Sequence, residues 1–208
     1  MKIHDISLPV YEKMVGWPMD PKVKLRLKSK IEAGAPCNLT KVVMSAHSGT
    51  HIDAPFHFIK KGKTVDRLPL EAFYGDALVV ELDSKDKINI RDLAALKLKG
   101  KKRVLFKTRN SSLWKNKKFV KDFVYFTEKS AEHLVKCGVK LVGIDYLSVE
   151  EYGNERHPAH SVFLSAEVIL LEGLNLLTVK PGNYTLCAFP LNLKGCDGAP
   201  VRAVLIEE

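Results

Sequence analysis

One eleven-residue stretch, His47-Ser-Gly-Thr-His51-Ile-Asp53-Ala-Pro-Phe-His57, limits the folds open to this 208-residue chain more than any other segment. It holds three of the chain's seven histidines together with an aspartate. Imidazole and carboxylate in combination suit Zn, Mn, Fe or Ni. To act on one ion they must converge, and spacing says how. His51 and Asp53, two apart, share one face of an extended segment. His47 and His51 would stand roughly 13 Å apart along a straight strand, too far to share an ion. A helix would close that gap, but Gly49, Thr50 and Pro55 disfavour one. The remaining solution is a strand, a sharp bend at Gly49, which tolerates positive φ, and then the donor-bearing stretch. Singly, each of these residues reads as a core histidine or a turn aspartate; together His47, His51, Asp53 and His57 read as a metal site.

The rest of the chain supplies strands more readily than helices. Lys22–Lys28 alternates strictly, with Val23, Leu25 and Leu27 on one face and cations on the other, the pattern of a strand with one wet face. Asn38–Met44, Ala77–Leu82, Val104–Lys107, Lys140–Asp145 and Val201–Ile206 also read as strands. Asn89 can cap a helix over Ile90–Leu98, and Thr127 can cap another that runs through Lys136 and stops at Gly138. The residues thus predict one sheet-rich α/β domain over 1–208 with few helices, less regular than a doubly wound fold.

Charge and cysteine usage exclude several function classes. The net charge is 33 − 24 = +9, concentrated in Lys97–Arg103 and Lys115–Lys121. These clusters are short and lie beside expected turns, so a solvated lysine-rich surface is the reading rather than a nucleic-acid interface. The four cysteines contain no C-x-x-C pair, which argues against a zinc ribbon or a disulfide framework. No apolar run approaches the ~20 residues of a membrane span, and the N-terminus does not read as a signal peptide; a cytoplasmic protein without a membrane partner is expected.

A second donor group lies downstream. His157-Pro-Ala-His160 precedes the run Val168-Ile-Leu-Leu-Glu172, and a carboxylate closing four apolar residues is costly to bury unless it is paired or metal-bound. Asp145 could support a ligand but reads better as a turn residue, His157 reads as a support for a ligand or a turn before Pro158, Arg202 as structural, and His4 and His133 as ordinary strand and helix positions.

With both groups in view, the chain resembles the so-called cyclase family, whose signature H-x-G-T-H-x-D-x-P-x-H includes bacterial kynurenine formamidases and isatin hydrolases. Trp17-Pro-Met-Asp20 is similar to the family's P-G-D stretch, with Met19 in place of glycine. His160 followed by Glu172 matches its distal pair, and Gly198-Ala-Pro-Val-Arg202 its closing motif. The resemblance implies a mixed, partly barrel-like sheet and a homo-oligomer, dimer or tetramer. It implies metal ligation by His47, His51, Asp53, His160 and Glu172 of two divalent ions, Zn²⁺ or Mn²⁺, with Asp53 and Glu172 bridging. It further implies His57 as the acid/base residue and Trp17 against the substrate. The activity so implied is hydrolysis of a small-molecule amide, an aryl formamide such as N-formylkynurenine. Opening of a cyclic amide or lactone, and a metal-binding protein without catalysis, stay open as alternatives.

Overall fold

The computed structural model describes residues 1–207. Strands β1 (Lys2–Asp5), β2 (Lys24–Ser29), β3 (Leu39–Val43), β4 (His51–Asp53) and β5 (Tyr74–Glu81) lead to β6 (Lys87–Ile88) and helix α1 (Ile90–Ala94). Then come β7 (Arg103–Lys107), β8 (Tyr125–Phe126), helix α2 (Glu128–Lys136), β9 (Leu141–Ile144) and helix α3 (Pro158–Ser165). Strands β10 (Ile169–Glu172), β11 (Gly182–Cys187), β12 (Gly198–Pro200) and β13 (Val204–Glu207) complete the described chain.

Nine strands form one sheet in the order β1-β13-β11-β5-β7-β9-β10-β4-β12. The run β5-β7-β9-β10 is parallel, and every other neighbour pair is antiparallel. The connectivity forces this sheet to curl. Laid flat, β13 and β12 are seven positions apart and would be separated by roughly 34 Å at ~4.8 Å per strand. Yet the chain passes from Pro200 to Val204, four steps that reach at most about 14 Å. The two ends of the sheet therefore approach each other, which is the partly barrel-like form expected.

Side-chain alternation then serves two cores. Leu105, Ile169 and Leu171 join Ile52, Leu141 and Leu205 in one, while Val104, Phe106 and Leu170 join Leu93, Leu134 and Phe163 of the helices in the other. Strands buried on both faces read as unbroken apolar runs, which is why β9 and β10 look as they do in sequence.

Three expectations are corrected. The helix expected over Ile90–Leu98 stops at Ala94, because Leu98 turns inward to 1% exposure and packing overrides helix propensity. The strand expected over Val201–Ile206 begins only at Val204; Val201–Ala203 is the link between the sheet's ends, held by Val201 N–H donating to Thr50 O. Strands β2 and β3 form a separate ribbon whose apolar face is not buried: Leu27 is 45% and Val42 53% exposed. Helix α3 has no counterpart in the sequence reading, since HPAHSVFLS is apolar nearly all round and shows no helical period. Helix α2 forms as expected, with Thr127 accepting from Ser130 N–H and Gly138 at φ +82° beyond its end.

Candidate metal centre

The bend expected at Gly49 is present. Strand β3 ends at Val43, the chain turns through Ala46–Thr50 with Gly49 at φ +71°, and β4 begins at His51. Strand register does the rest. Glu172 lies directly opposite His51 in the β10/β4 pair, and Asp53 lies opposite Leu170. Directly opposed residues share a face. His51, Asp53 and Glu172 therefore point to the side of the sheet where Leu170 packs against α3, and α3 carries His160. On the other flank of β4, Gly198 lies opposite Asp53, and its missing side chain makes room for His47. A Cβ there would meet His47 Cε1 at 2.8 Å and Ile52 O at 2.6 Å.

All six residues implied by the signature and the distal pair come together. His51 Nδ1–H donates to Gly49 O at 2.9 Å, which turns Nε2 toward Asp53 Oδ1 (3.4 Å) and Glu172 Oε2 (3.5 Å). His47 Nδ1 is 2.7 Å from the same Asp53 Oδ1. On the other side, His160 Nε2 is 3.6 Å from Asp53 Oδ2 and 3.5 Å from Glu172 Oε1, and His57 Nε2 is 4.0 Å from Asp53 Oδ2. Each carboxylate thus divides its two oxygens between two sets of imidazoles. His51, Asp53, His160 and Glu172 are all buried.

This is a costly arrangement without a cation. Asp53 Oδ2 and His160 Nδ1 are buried without a hydrogen-bond partner. His51, Asp53 and Glu172 offer donor atoms within 4.8 Å of one another, as do His47, Asp53 and His57. The donor set, imidazole and carboxylate with no thiolate, fits a divalent ion such as zinc or manganese. Burial pushes His51 down, but Asp53 and Glu172 outweigh it and lift its pKa to about 10. Burial and Asp53 push Glu172 up, yet His160 and His51 hold it below its ordinary value. His57 is lowered, chiefly by burial.

Two carboxylates that sequence reasoning missed hold these rings in place. Asp197 Oδ2 accepts from His47 Nε2 at 2.9 Å and stands 3.3 Å from His57 Nδ1, so one oxygen anchors both imidazoles. The rings stack at 4.1 Å between centroids. Glu150, also buried, accepts Ala159 N–H and His160 N–H at the start of α3, fixing the turn that presents His160. The signal for Asp197 was its place beside the closing G-A-P motif; for Glu150 there was none.

Trp17 lines a pocket of about 280 Å³ that also contains His47, His51, His57, His160 and Glu172. Its indole packs against Phe119 and Tyr152. Met19 occupies the third position of the turn closed by Asp20 N–H to Trp17 O, without positive φ and 88% exposed, so glycine's freedom is not needed there. The remaining residues fall outside the centre. Asp145 lies in the bend after β9 and, buried there, accepts four hydrogen bonds from Thr108 and Ser111. Arg202 pairs with Asp5, His4 with Glu207, and His133 contacts Cys137. His157 is the exception: the left-handed residue before α3, it lines the Trp17 pocket and offers a donor atom within 4.8 Å of those of Glu150 and His160.

Comparison with known proteins bears on the family and the fold. Residues 4–151 match the family described as "Putative cyclase". The chain is 40% identical over 203 residues to a kynurenine formamidase from Geobacillus thermodenitrificans, covering 97% of this chain and 95% of the relative. Among solved structures, a potential metal-dependent hydrolase with cyclase activity is 35% identical with TM-score 0.86, covering 98% of this chain and 96% of its own. Isatin hydrolase A from Ralstonia solanacearum shares the fold at 21% identity and TM-score 0.85, covering 99% and 92%. A family match over most of the chain, with the signature residues gathered at one buried centre, establishes that this protein belongs to the cyclase family.

Proposed function

We propose that this cyclase-family chain is a metal-dependent amidohydrolase that cleaves the C–N bond of an aryl formamide, N-formylkynurenine being the type. The observation that carries this reading is the division of labour around Asp53 and Glu172. One oxygen of each faces His51, joined by His47 at Asp53, and the other oxygen of each faces His160, joined by His57 at Asp53. Such a set supports two divalent ions, zinc or manganese, which His47, His51, Asp53, His160 and Glu172 would hold. When bound, the ions act as Lewis acids that lower the pKa of water and polarise the amide carbonyl.

The protein's own groups do the rest. Asp197 takes up the Nδ1 side of His57 and leaves Nε2 facing the donor cluster. Burial keeps that imidazole below its ordinary pKa and hence neutral near pH 7, free to accept a proton and later deliver it to the leaving nitrogen. Trp17, braced by Phe119 and Tyr152, offers a stacking wall to an aromatic amine. A homo-oligomer is supported by the uncovered ribbon, where Leu39 is 58% and Val42 53% exposed. No helix among the described residues is long and apolar enough to cross a membrane.

Turnover of N-formylkynurenine, isatin and a simple lactone by metal-reconstituted protein tests the reading, with metal analysis alongside. The expected result is about two ions per chain and preference for the formamide. Faster opening of isatin would move the activity to cyclic amides; ion binding without turnover of any of the three would leave a binding protein.

A further inference from the structure

A second cavity, of about 420 Å³, lies at the opposite end of the parallel strands from the metal centre. Its lining comes from the amino ends of β7, β9 and β10, which supply Arg103, Lys140 and Ile169, and from the segment around Leu68 and Ala72. Volumes of this size are typical of small-ligand sites. Leu68 and Ile169 are buried and, with Ala72 and Pro69, provide the apolar part of the lining.

The rim is cationic by construction. Lys140 N–H and Leu141 N–H both donate to Lys102 O, so the backbone sets Lys102 and Lys140 side by side. Arg103 is fixed between them and the floor: its guanidinium donates to the carbonyls of Ala72, Asp76 and Glu71. That spends three of its five N–H groups on neutral acceptors; burial lowers its pKa and the nearby Asp76 carboxylate offsets this only in part. Among the described residues no carboxylate forms an ion pair with Lys102, Arg103 or Lys140. The rim's one pair is Lys63 with Glu167 at 2.8 Å. Against four cations the lining sets two carboxylates, Glu71 and Glu167. Glu167 also holds a left-handed backbone (φ +55°), where glycine is the usual occupant. Gathering like charges round an apolar hollow repels unless an anion enters.

We propose that this cavity binds a small amphipathic anion, an apolar ring-sized body over Leu68, Ala72 and Ile169 with its acidic head against Lys102, Arg103 and Lys140. The site is separate from the hydrolytic centre, and the proposal stands whatever the substrate there.

Fluorescence and calorimetric titration of the metal-loaded protein with anilinonaphthalene sulfonate tests this. One saturable site per chain is expected, unchanged by His57→Ala and not displaced by inorganic sulfate at equal concentration. Neutral N-phenylnaphthylamine should bind about tenfold more weakly or worse, and Lys102→Glu with Lys140→Glu should weaken the sulfonate by about tenfold or more. Ala72→Trp, which fills the hollow, should abolish binding; the paired lysine changes are at exposed positions and decide the matter if the tryptophan variant does not fold. Equal binding to wild type and the lysine variant overturns the proposal, as does displacement by sulfate alone, loss in His57→Ala, or no saturable binding.

Discussion

Asp197 and His57 are 140 residues apart in the chain, yet Asp197 Oδ2 lies 3.3 Å from His57 Nδ1. The same oxygen accepts from His47 Nε2, so one half-exposed carboxylate orients an expected metal ligand and the expected acid/base residue. Carboxylates that orient metal-ligating histidines are typically worth 10–100-fold in metal affinity or activity. Asp197→Asn should therefore lower kcat roughly 10-fold to 100-fold by this reasoning, with a smaller loss of bound metal. Steady-state kinetics beside metal analysis decides it; unaltered kcat would remove Asp197 from the machinery.

Gly198 is a packing position for the centre. Adding a methyl there drives a Cβ into Ile52 O and the His47 ring. Because one contact is backbone, the strand must shift, and Gly198→Ala should cost on the order of 1–3 kcal/mol by the usual scale of overpacking. Urea unfolding measures this, and metal analysis should find weaker binding in the same variant.

Metal uptake should release protons. In the metal-free centre His51 is protonated up to about pH 10, and His47 is also raised, Asp53 and Asp197 outweighing burial. A divalent ion must displace those protons, so its apparent affinity should fall as pH is lowered. Calorimetry in buffers of differing ionisation enthalpy counts them. The sign for stability is opposite. His51 has a folded pKa above its unfolded value of about 6.5. Its contribution to the metal-free protein is fully present below that value and is lost as pH rises toward about 10. The melting temperature of the metal-free protein should accordingly decline from neutral to alkaline pH.

The closing motif's arginine is structural. Arg202 reaches back to Asp5 of β1, tying together the strands where the sheet's ends approach. Burial pushes the Asp5 carboxyl up, but the hydrogen bonds from Arg202 and Ser7 together outweigh it and hold it below its ordinary value. The pair is exposed, so Arg202→Ala should cost little stability at pH 7. A lowered carboxylate stabilises above its unfolded pKa and loses that as pH falls through the folded one. A double-mutant cycle with Asp5→Ala should thus show coupling at pH 7 that vanishes in strong acid, while kcat stays unchanged.

Trp17→Ala should raise KM about tenfold with little change in kcat, since the indole supplies pocket wall rather than reacting atoms. A fall in kcat alone would place Trp17 in the chemistry instead.

Much of the centre was legible in sequence because its donors are unusual for their context. Histidines crowded into eleven residues, and a glutamate closing an apolar run, are costly unless they meet a cation. Chain stiffness then required the bend at Gly49. The strands of the sheet were legible for a related reason: alternation, or an unbroken apolar run, reports burial on one face or two. Glu150 and Asp197 were not, since each is an ordinary acid in a loop until the fold sets it beside His160 or His47. Helix α3 and the inward turn of Leu98 were likewise set by packing against the sheet, which outweighs local propensity.

The sequence by itself determined the donor types, the bend and the family to which the chain belongs. Only the tertiary structure decided which oxygen meets which imidazole. That depends on register: Glu172 faces His51 because β10 and β4 pair antiparallel at that position, and a slip of one residue would turn the side chains of one strand to the opposite face of the sheet and part the two. The pairing is held by contacts distant in sequence, with the Pro200-to-Val204 link drawing the ends of the sheet together.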